Sequence, residues 1–167
     1  MIKRMQISIV LIICNLLTLL LLIGGCGSRE SHMDSQKLTE LATQYTAAWC
    51  SQNATSVAAF FAENGSLQIN DGEPSVGRAA ITKAVQGFMT AFPDMVVEMD
   101  SLAINGTDVT YHWTLTGTNN GPGGTGNTVK ISGYEEWTMG TDGLIAESKG
   151  HFEAAEYQRQ LEYGADE

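Results

Sequence analysis

Residues 109–118 read Val-Thr-Tyr-His-Trp-Thr-Leu-Thr-Gly-Thr. Val109, Tyr111, Trp113 and Leu115 fall on one side of an extended chain, and Thr110, His112, Thr114 and Thr116 on the other. A period of two with β-branched and aromatic residues is the pattern of a strand that lays one face on a core. The alternation resumes after a glycine-rich loop from Gly117 to about Asn127, where Val129, Ile131, Gly133, Glu135, Trp137 and Met139 share a face. Upstream, Met95, Val97 and Met99 alternate with Val96, Glu98 and Asp100, and Asn105-Gly106 marks a hairpin into the central strand. Downstream, Thr141-Asp142-Gly143 turns the chain into a last strand near Leu144–Phe152.

Before this meander the period changes to that of helices. Leu38, Leu41, Ala42, Tyr45, Ala48 and Trp49 lie on one helical face, with Asp34 or Ser35 placed to cap it. A shorter helix follows, capped by Asn53, with Val57, Phe60 and Phe61 on its buried side and Asn64-Gly65 as its stop. Ser66–Asn70 reads as a short strand and Asp71-Gly72-Glu73-Pro74 as a turn. A third helix begins near Gly77, carries Ile81, Val85, Phe88, Met89 and Phe92 at spacings of three and four, and ends at Pro93-Asp94. A final helix starts around Glu153. Helices first and an antiparallel meander second define an α+β domain, here over residues 35–163 with a tail at 164–167.

The strand faces hold the candidate chemistry. Glu135 stands in the row of Ile131 and Trp137, so it is expected inside. Ile145, Glu147, Lys149, His151 and Glu153 share a parity on the last strand, which aims them at the same interior. A buried carboxylate is costly unless paired, and Lys149 is placed to pair with Glu147 or Glu135. His151 and Glu153, two residues apart, are the candidate catalytic pair: a partly desolvated Glu153 as general base, with His151 polarising or protonating a substrate oxygen. The competing role for Glu153 is to complement the dipole of the helix that begins there, which favours its charged form. His112 and His151 are assigned to opposite faces by parity, so no metal site is expected, and no cofactor motif is present.

The amino terminus is of another kind. Lys3 and Arg4 precede an apolar run from about Ile7 to Ile23, which ends in Gly24-Gly25-Cys26. A charged start, a long apolar stretch and small residues before a cysteine resemble a bacterial lipoprotein signal over residues 1–25, with Cys26 as the lipidated residue and 26–34 as a tether. The alternative is an uncleaved membrane anchor, since the run approaches the ~18–20 residues that span a bilayer. Either reading exports the domain and holds it at a membrane, because positive residues stay inside. Lipidation of Cys26 and loss of Cys14 with the signal leave Cys50 alone, so the core rather than a disulfide must hold the fold. The net charge of −10 falls to −12 without Lys3 and Arg4, which argues against nucleic acid as a partner.

From about Tyr45 to Leu161 the chain resembles the SnoaL-like polyketide cyclase (ester cyclase) branch of the nuclear-transport-factor-two-like superfamily. The resemblance is carried by Ile69-Asn70-Asp71-Gly72, Gly77-Arg78-Ala79-Ala80-Ile81, Phe92-Pro93-Asp94, Trp113-Thr114-Leu115-Thr116-Gly117-Thr118, Asp142-Gly143-Leu144-Ile145-Ala146-Glu147 and the ending from Glu153 to Gln160-Leu161. It implies a cystatin-like cone, a curved antiparallel sheet packed on N-terminal helices around one pocket, often dimeric through the sheet. It also implies an acid/base at Glu153, six positions after Glu147, where the family usually has Asp. Lys149 stands where the family has Trp, and Asn119 where a His often follows the Gly-Thr pair. With Tyr45, Trp49, Trp113 and Trp137 as walls and Asn70, Asn119, Glu135, Glu147 and Lys149 as polar lining, the expected ligand is a small, largely apolar molecule. Cofactor-free isomerisation, cyclisation, dehydration or hydrolysis and plain ligand binding at the cell envelope both fit that pocket.

Overall fold

The computed structural model describes residues 35–106 and 108–165. In chain order these form α1 (Ser35–Cys50), α2 (Ala54–Ala58), β1 (Phe61–Ile69), β2 (Ser75–Val76), α3 (Arg78–Ala91), β3 (Val96–Asn105), β4 (Asp108–Thr118), β5 (Thr128–Met139), β6 (Ile145–Phe152) and α4 (Ala154–Tyr163). The strands make one six-stranded curved sheet in the order β2-β1-β6-β5-β4-β3. All neighbours are antiparallel except β1 and β6, which run parallel. The signal, Cys26, the tether and the Asp34 cap lie outside the described residues. Among the described residues no helix is long and apolar enough to cross a membrane.

The expected rows of β4 and β5 bury as read: Val109, Tyr111 and Leu115 pack beside Val129, Ile131 and Trp137, and the two strands pair without a break from Asp108↔Thr138 to Thr118↔Thr128. Helix α1 lies across this inner face. Its Tyr45 hydroxyl bonds Glu135 on β5, Thr46 Oγ1 sits 2.7 Å from the Tyr111 hydroxyl on β4, and Cys50 Sγ donates to Val97 O on β3 at 3.3 Å. The thiol also accepts from Val97 N at 3.2 Å, so Cys50 is a structural pin between helix and sheet. Burial of Leu38, Ala42, Tyr45, Ala48 and Trp49 is the single-faced pattern that their spacing dictates.

Helix α4 finishes the sheet in place of a strand. β6 ends opposite Gly133, leaving the start of β5 without a neighbour on that side. The buried Gln160 accepts from Lys130 N at 2.6 Å and Asn127 Nδ2 donates to Leu161 O at 2.9 Å, so side chains of the helix and loop satisfy that edge. At the same end of the sheet, where β4 closes, Asp94 accepts from both the backbone N and Oγ1 of Thr118, each at 2.7 Å.

The structure corrects four readings. The short helix stops at Ala58, and Phe61 already begins β1; Asn53 does cap it, accepting from Ser56 N at 3.3 Å. The hairpin is shifted by one residue from the Asn-Gly pair: Asn105 still pairs with Asp108, and Gly106 supplies the positive φ of 67°. On β6 an extra residue, Ala146, intervenes between the pairs Met139↔Ile145 and Thr138↔Glu147. This bulge inverts parity, so Ser148, Gly150 and Phe152 face inward while Glu147, Lys149 and His151 face out. His112 and His151 consequently share the outer face, on either side of Tyr134, with ring centroids 5.8 and 4.8 Å from it.

The loop from Asn119 to Asn127 packs so closely on α3 that a Cβ at Gly121 would lie 2.1 Å from Thr90 O, whereas one at Gly87, exposed on α3, would meet nothing within 4 Å. Gly121→Ala is therefore expected to lower unfolding free energy by about 1–3 kcal/mol. Gly87→Ala should raise it by about 0.5–1 kcal/mol through helix propensity. Denaturant midpoints at constant m-value measure both.

Candidate functional site

The bulge at Ala146 decides which polar groups reach the interior. It brings Ser148, fully buried, to face Glu135 across the β5–β6 pair. Glu135 is itself buried, and three donors converge on its Oε2: Ser148 Oγ at 2.7 Å, Trp137 Nε1 at 2.8 Å and the Tyr45 hydroxyl at 3.1 Å. The other oxygen, Oε1, has only a 3.4 Å contact to the same Tyr45 hydroxyl. Around this carboxyl the rings lock together: Tyr111 stacks on Trp137 at 4.9 Å, and Tyr45 meets both edge-on at 5.7 and 5.1 Å.

Burial pushes the Glu135 carboxyl above its ordinary 4.5, against the opposing pull of the bonds from Trp137, Ser148 and Tyr45. Burial also raises Tyr45 well above its ordinary value, with the adjacent Glu135 adding to the effect. Tyr111 rises for the same first reason.

Beside Glu135 the sheet, α1 and α3 line a partly open apolar cavity of about 60 Å³. Trp49, Phe88, Tyr111, Trp113 and Phe152 provide its aromatic lining and Glu135 its one acidic group. Trp113 rests on Gly133, where a Cβ would meet its ring at 2.6 Å, so glycine there makes the space that the indole occupies. Its Nε1 is buried with no hydrogen-bond partner. At ~10–15 Å³ per water-sized sphere, the cavity holds about four to six such spheres, the size of a molecule with a few non-hydrogen atoms.

Of the residues expected in the pocket, Trp49, Trp113 and Glu135 line the cavity, and Tyr45 and Trp137 hold Glu135 from behind. The others lie elsewhere. Lys149 pairs with Glu147 at 3.3 Å on the outer face, not with Glu135; both are about half exposed, so the pair contributes at most about 1 kcal/mol. Asn119 works in the glycine-rich loop, where Oδ1 accepts from Thr125 N at 2.9 Å and Nδ2 donates to Ala91 O at 3.4 Å. Asn70 sits at φ 48° and accepts from Phe152 N at 3.0 Å, fastening β1 to the end of β6.

His151 and Glu153 do come together, but in a separate, solvent-open groove that also includes Asn70, Asp71 and Tyr134. His151 Nε2 lies 3.2 Å from Glu136 Oε2, and the ring stacks on Tyr134. Glu153 is exposed at the N-cap position of α4 and makes no side-chain capping bond. Ser148 is the polar contributor that sequence reading missed, because a single inserted residue moves it from the outer row to the inner one.

Residues 42–148 match the SnoaL-like domain family, and the chain belongs to that family. No curated protein matches the sequence. Among solved structures, the chain is similar to a protein from Jannaschia sp. CCS1 assigned provisionally to the SnoaL-like polyketide cyclases, at 16% identity over 83% of this chain and 100% of that one, with a TM-score of 0.69. It is also similar to a ketosteroid isomerase-like protein from Catenulispora acidiphila DSM 44928, solved with trimethylamine, at 17% identity, 73% and 92% coverage and a TM-score of 0.66. A third is TerC, co-crystallised with polyporic acid, at 15% identity, 75% and 98% coverage and a TM-score of 0.64. At these identities the likeness is one of fold.

The raised carboxyl sets a pH dependence. The folded chain holds the Glu135 proton more tightly than the unfolded chain, so this contribution to stability is full below about pH 4.5 and is lost as pH rises from there through the folded-state value. In Glu135→Gln that loss should vanish, while in Glu147→Gln, on the outer face, it should persist. Unfolding free energies of the variants across pH 4–8 check this.

Proposed function

We propose that this SnoaL-like domain, exported and anchored through lipid on Cys26, binds a small, largely apolar molecule in its internal cavity and exchanges a proton with it through Glu135. The observation that carries the proposal is a buried carboxyl whose Oε2 is saturated by three protein donors while its Oε1 is left nearly free beside an apolar, aromatic-lined cavity. Such a group is oriented by its fixed oxygen and available at its free one, which is what a general acid or base requires. Burial, which disfavours the charged carboxylate, raises the proton affinity of this group.

This assigns the acid/base role to Glu135 in the cavity rather than to Glu153 and His151, whose groove is open to water and polar. Water competes there for any proton and weakens electrostatic effects on a bound molecule. Structures of related fold that hold trimethylamine and polyporic acid support small-molecule binding as the use of this architecture. Simple ligand holding without turnover needs the same cavity and the same anchor, and differs only in whether the proton leaves with the ligand.

Native mass spectrometry of the full chain, extracted in detergent from cells that produce it, tests occupancy. The expected result is a co-purified small molecule that Trp113→Leu and Glu135→Gln each reduce, with His151→Ala leaving it in place. Retention in the first two variants, or loss only in His151→Ala, would move the site to the outer groove.

Export has its own test. Cells grown with labelled palmitate should incorporate label into the wild-type chain, and Cys26→Ser should abolish it and retain the uncleaved precursor. Label that survives Cys26→Ser would refute lipidation at this residue.

A further inference from the structure

Glu135 has no cationic partner among the ion pairs of the described residues, which are Lys149–Glu147, His151–Glu136 and Arg159–Glu156. Its shift is set by burial and by three hydrogen bonds, with no cation among its causes. Yet the donors are arranged for an ionised carboxylate. Trp137 Nε1 can only donate, and with Ser148 and Tyr45 it fills Oε2, so that oxygen has no room for a proton of its own. What the carboxylate lacks is a positive partner at Oε1.

We propose that the occupant of the cavity is a small organic cation, an alkylammonium of a few non-hydrogen atoms, whose N–H donates to Glu135 Oε1 and whose alkyl part lies among Trp49, Phe88, Tyr111 and Trp113. The inference rests on the binding part of the function proposed above, with the Glu135 proton passing to solvent rather than to the occupant. Aromatic rings attract a cation through their quadrupoles, more strongly the less water surrounds it. A charge-assisted bond to a carboxylate adds to this. A neutral apolar molecule would fill the same space but leave an ionised Oε1 with only its 3.4 Å contact to Tyr45. The cavity volume of about 60 Å³ suits a molecule of a few non-hydrogen atoms.

The proton inventory follows from the geometry. When Glu135 is protonated, its proton resides on Oε1, because three donors fill Oε2. When the ammonium arrives already protonated, its N–H takes the place of that proton, which leaves to bulk solvent. The other titratable groups facing Glu135 are Tyr45 from α1 and Tyr111 from β4, both raised and therefore neutral throughout. β6 contributes Ser148 and Gly150, which do not titrate, because the bulge turns Glu147, Lys149 and His151 outward. Binding is thus linked to release of up to one proton, and affinity rises with pH up to the Glu135 value.

Calorimetric titration of the full-length chain in detergent micelles with propylammonium chloride, and with 1-propanol as its neutral isostere, tests this. The expected result is binding of propylammonium about tenfold or more tighter than 1-propanol, equivalent to about 1.4 kcal/mol. Buffers of different ionisation enthalpy should reveal proton release below the Glu135 value. Glu135→Gln should erase the preference, and Trp113→Leu, which leaves the carboxyl intact, should weaken propylammonium more than 1-propanol. Equal or tighter binding of 1-propanol, no proton release, or no binding of either probe would overturn the cation proposal. A neutral molecule found in the cavity by native mass spectrometry would do so too, while leaving the proposed function standing.

Discussion

A carboxylate in the middle of an apolar core costs several kcal/mol unless something compensates it, and much of this domain is organised around that constraint. Glu135 cannot move outward without turning Trp137 and Ile131 out with it, because strand parity ties the three together. Its compensation therefore comes from other elements: a hydroxyl from α1, an indole N–H from its own strand and a hydroxyl from β6. These bonds fix the register of β6 on β5 and the placement of α1 over the sheet, the two relations that create the cavity. Tyr45, central to the aromatic cluster, serves packing with its ring and solvation with its hydroxyl.

The bulge at Ala146 is the local device on which this compensation turns. Without it, Ser148 would face solvent and Lys149 would be driven toward Glu135, giving a buried ion pair instead of a buried acid bonded by neutral donors. The structure has the second arrangement, and Lys149 is left to a half-exposed partner. An interior ion pair would fill the space with a lysine chain. A carboxyl held by neutral donors leaves that space to the cavity that Glu135 lines.

What was legible in the sequence follows the same physics. β4 and β5 pair through eleven consecutive residues of β4 without a shift, so simple alternation named their buried rows, including Glu135. α1 and α3 were legible because helical spacing survives small errors in their ends. β6 was not, since a bulge leaves no reliable mark in a stretch such as Ile145-Ala146-Glu147-Ser148, and one inserted residue reverses every later side chain. The same reversal put His151 on the face of His112 and took the expected catalytic pair out of the cavity. Phe60-Phe61 were read as helix because two aromatic residues after a helical segment fit either period, and only pairing with β6 makes Phe61 a strand residue. Asn119 was placed by its neighbours in the family pattern, whereas its backbone turns it into the tie of a glycine-rich loop.

The family supplies the cone, and this chain's own residues supply a small, acidic, aromatic interior. The central physical claim is that Glu135 is a desolvated acid held by neutral donors. Its most direct measurement is the carbon-13 titration of side-chain carboxyls in glutamate-labelled protein, with Glu135→Gln to assign the resonance. The account predicts a midpoint above the ordinary 4.5. A midpoint at or below that value would show that the hydrogen bonds outweigh burial, or that water reaches the carboxyl, and would contradict it.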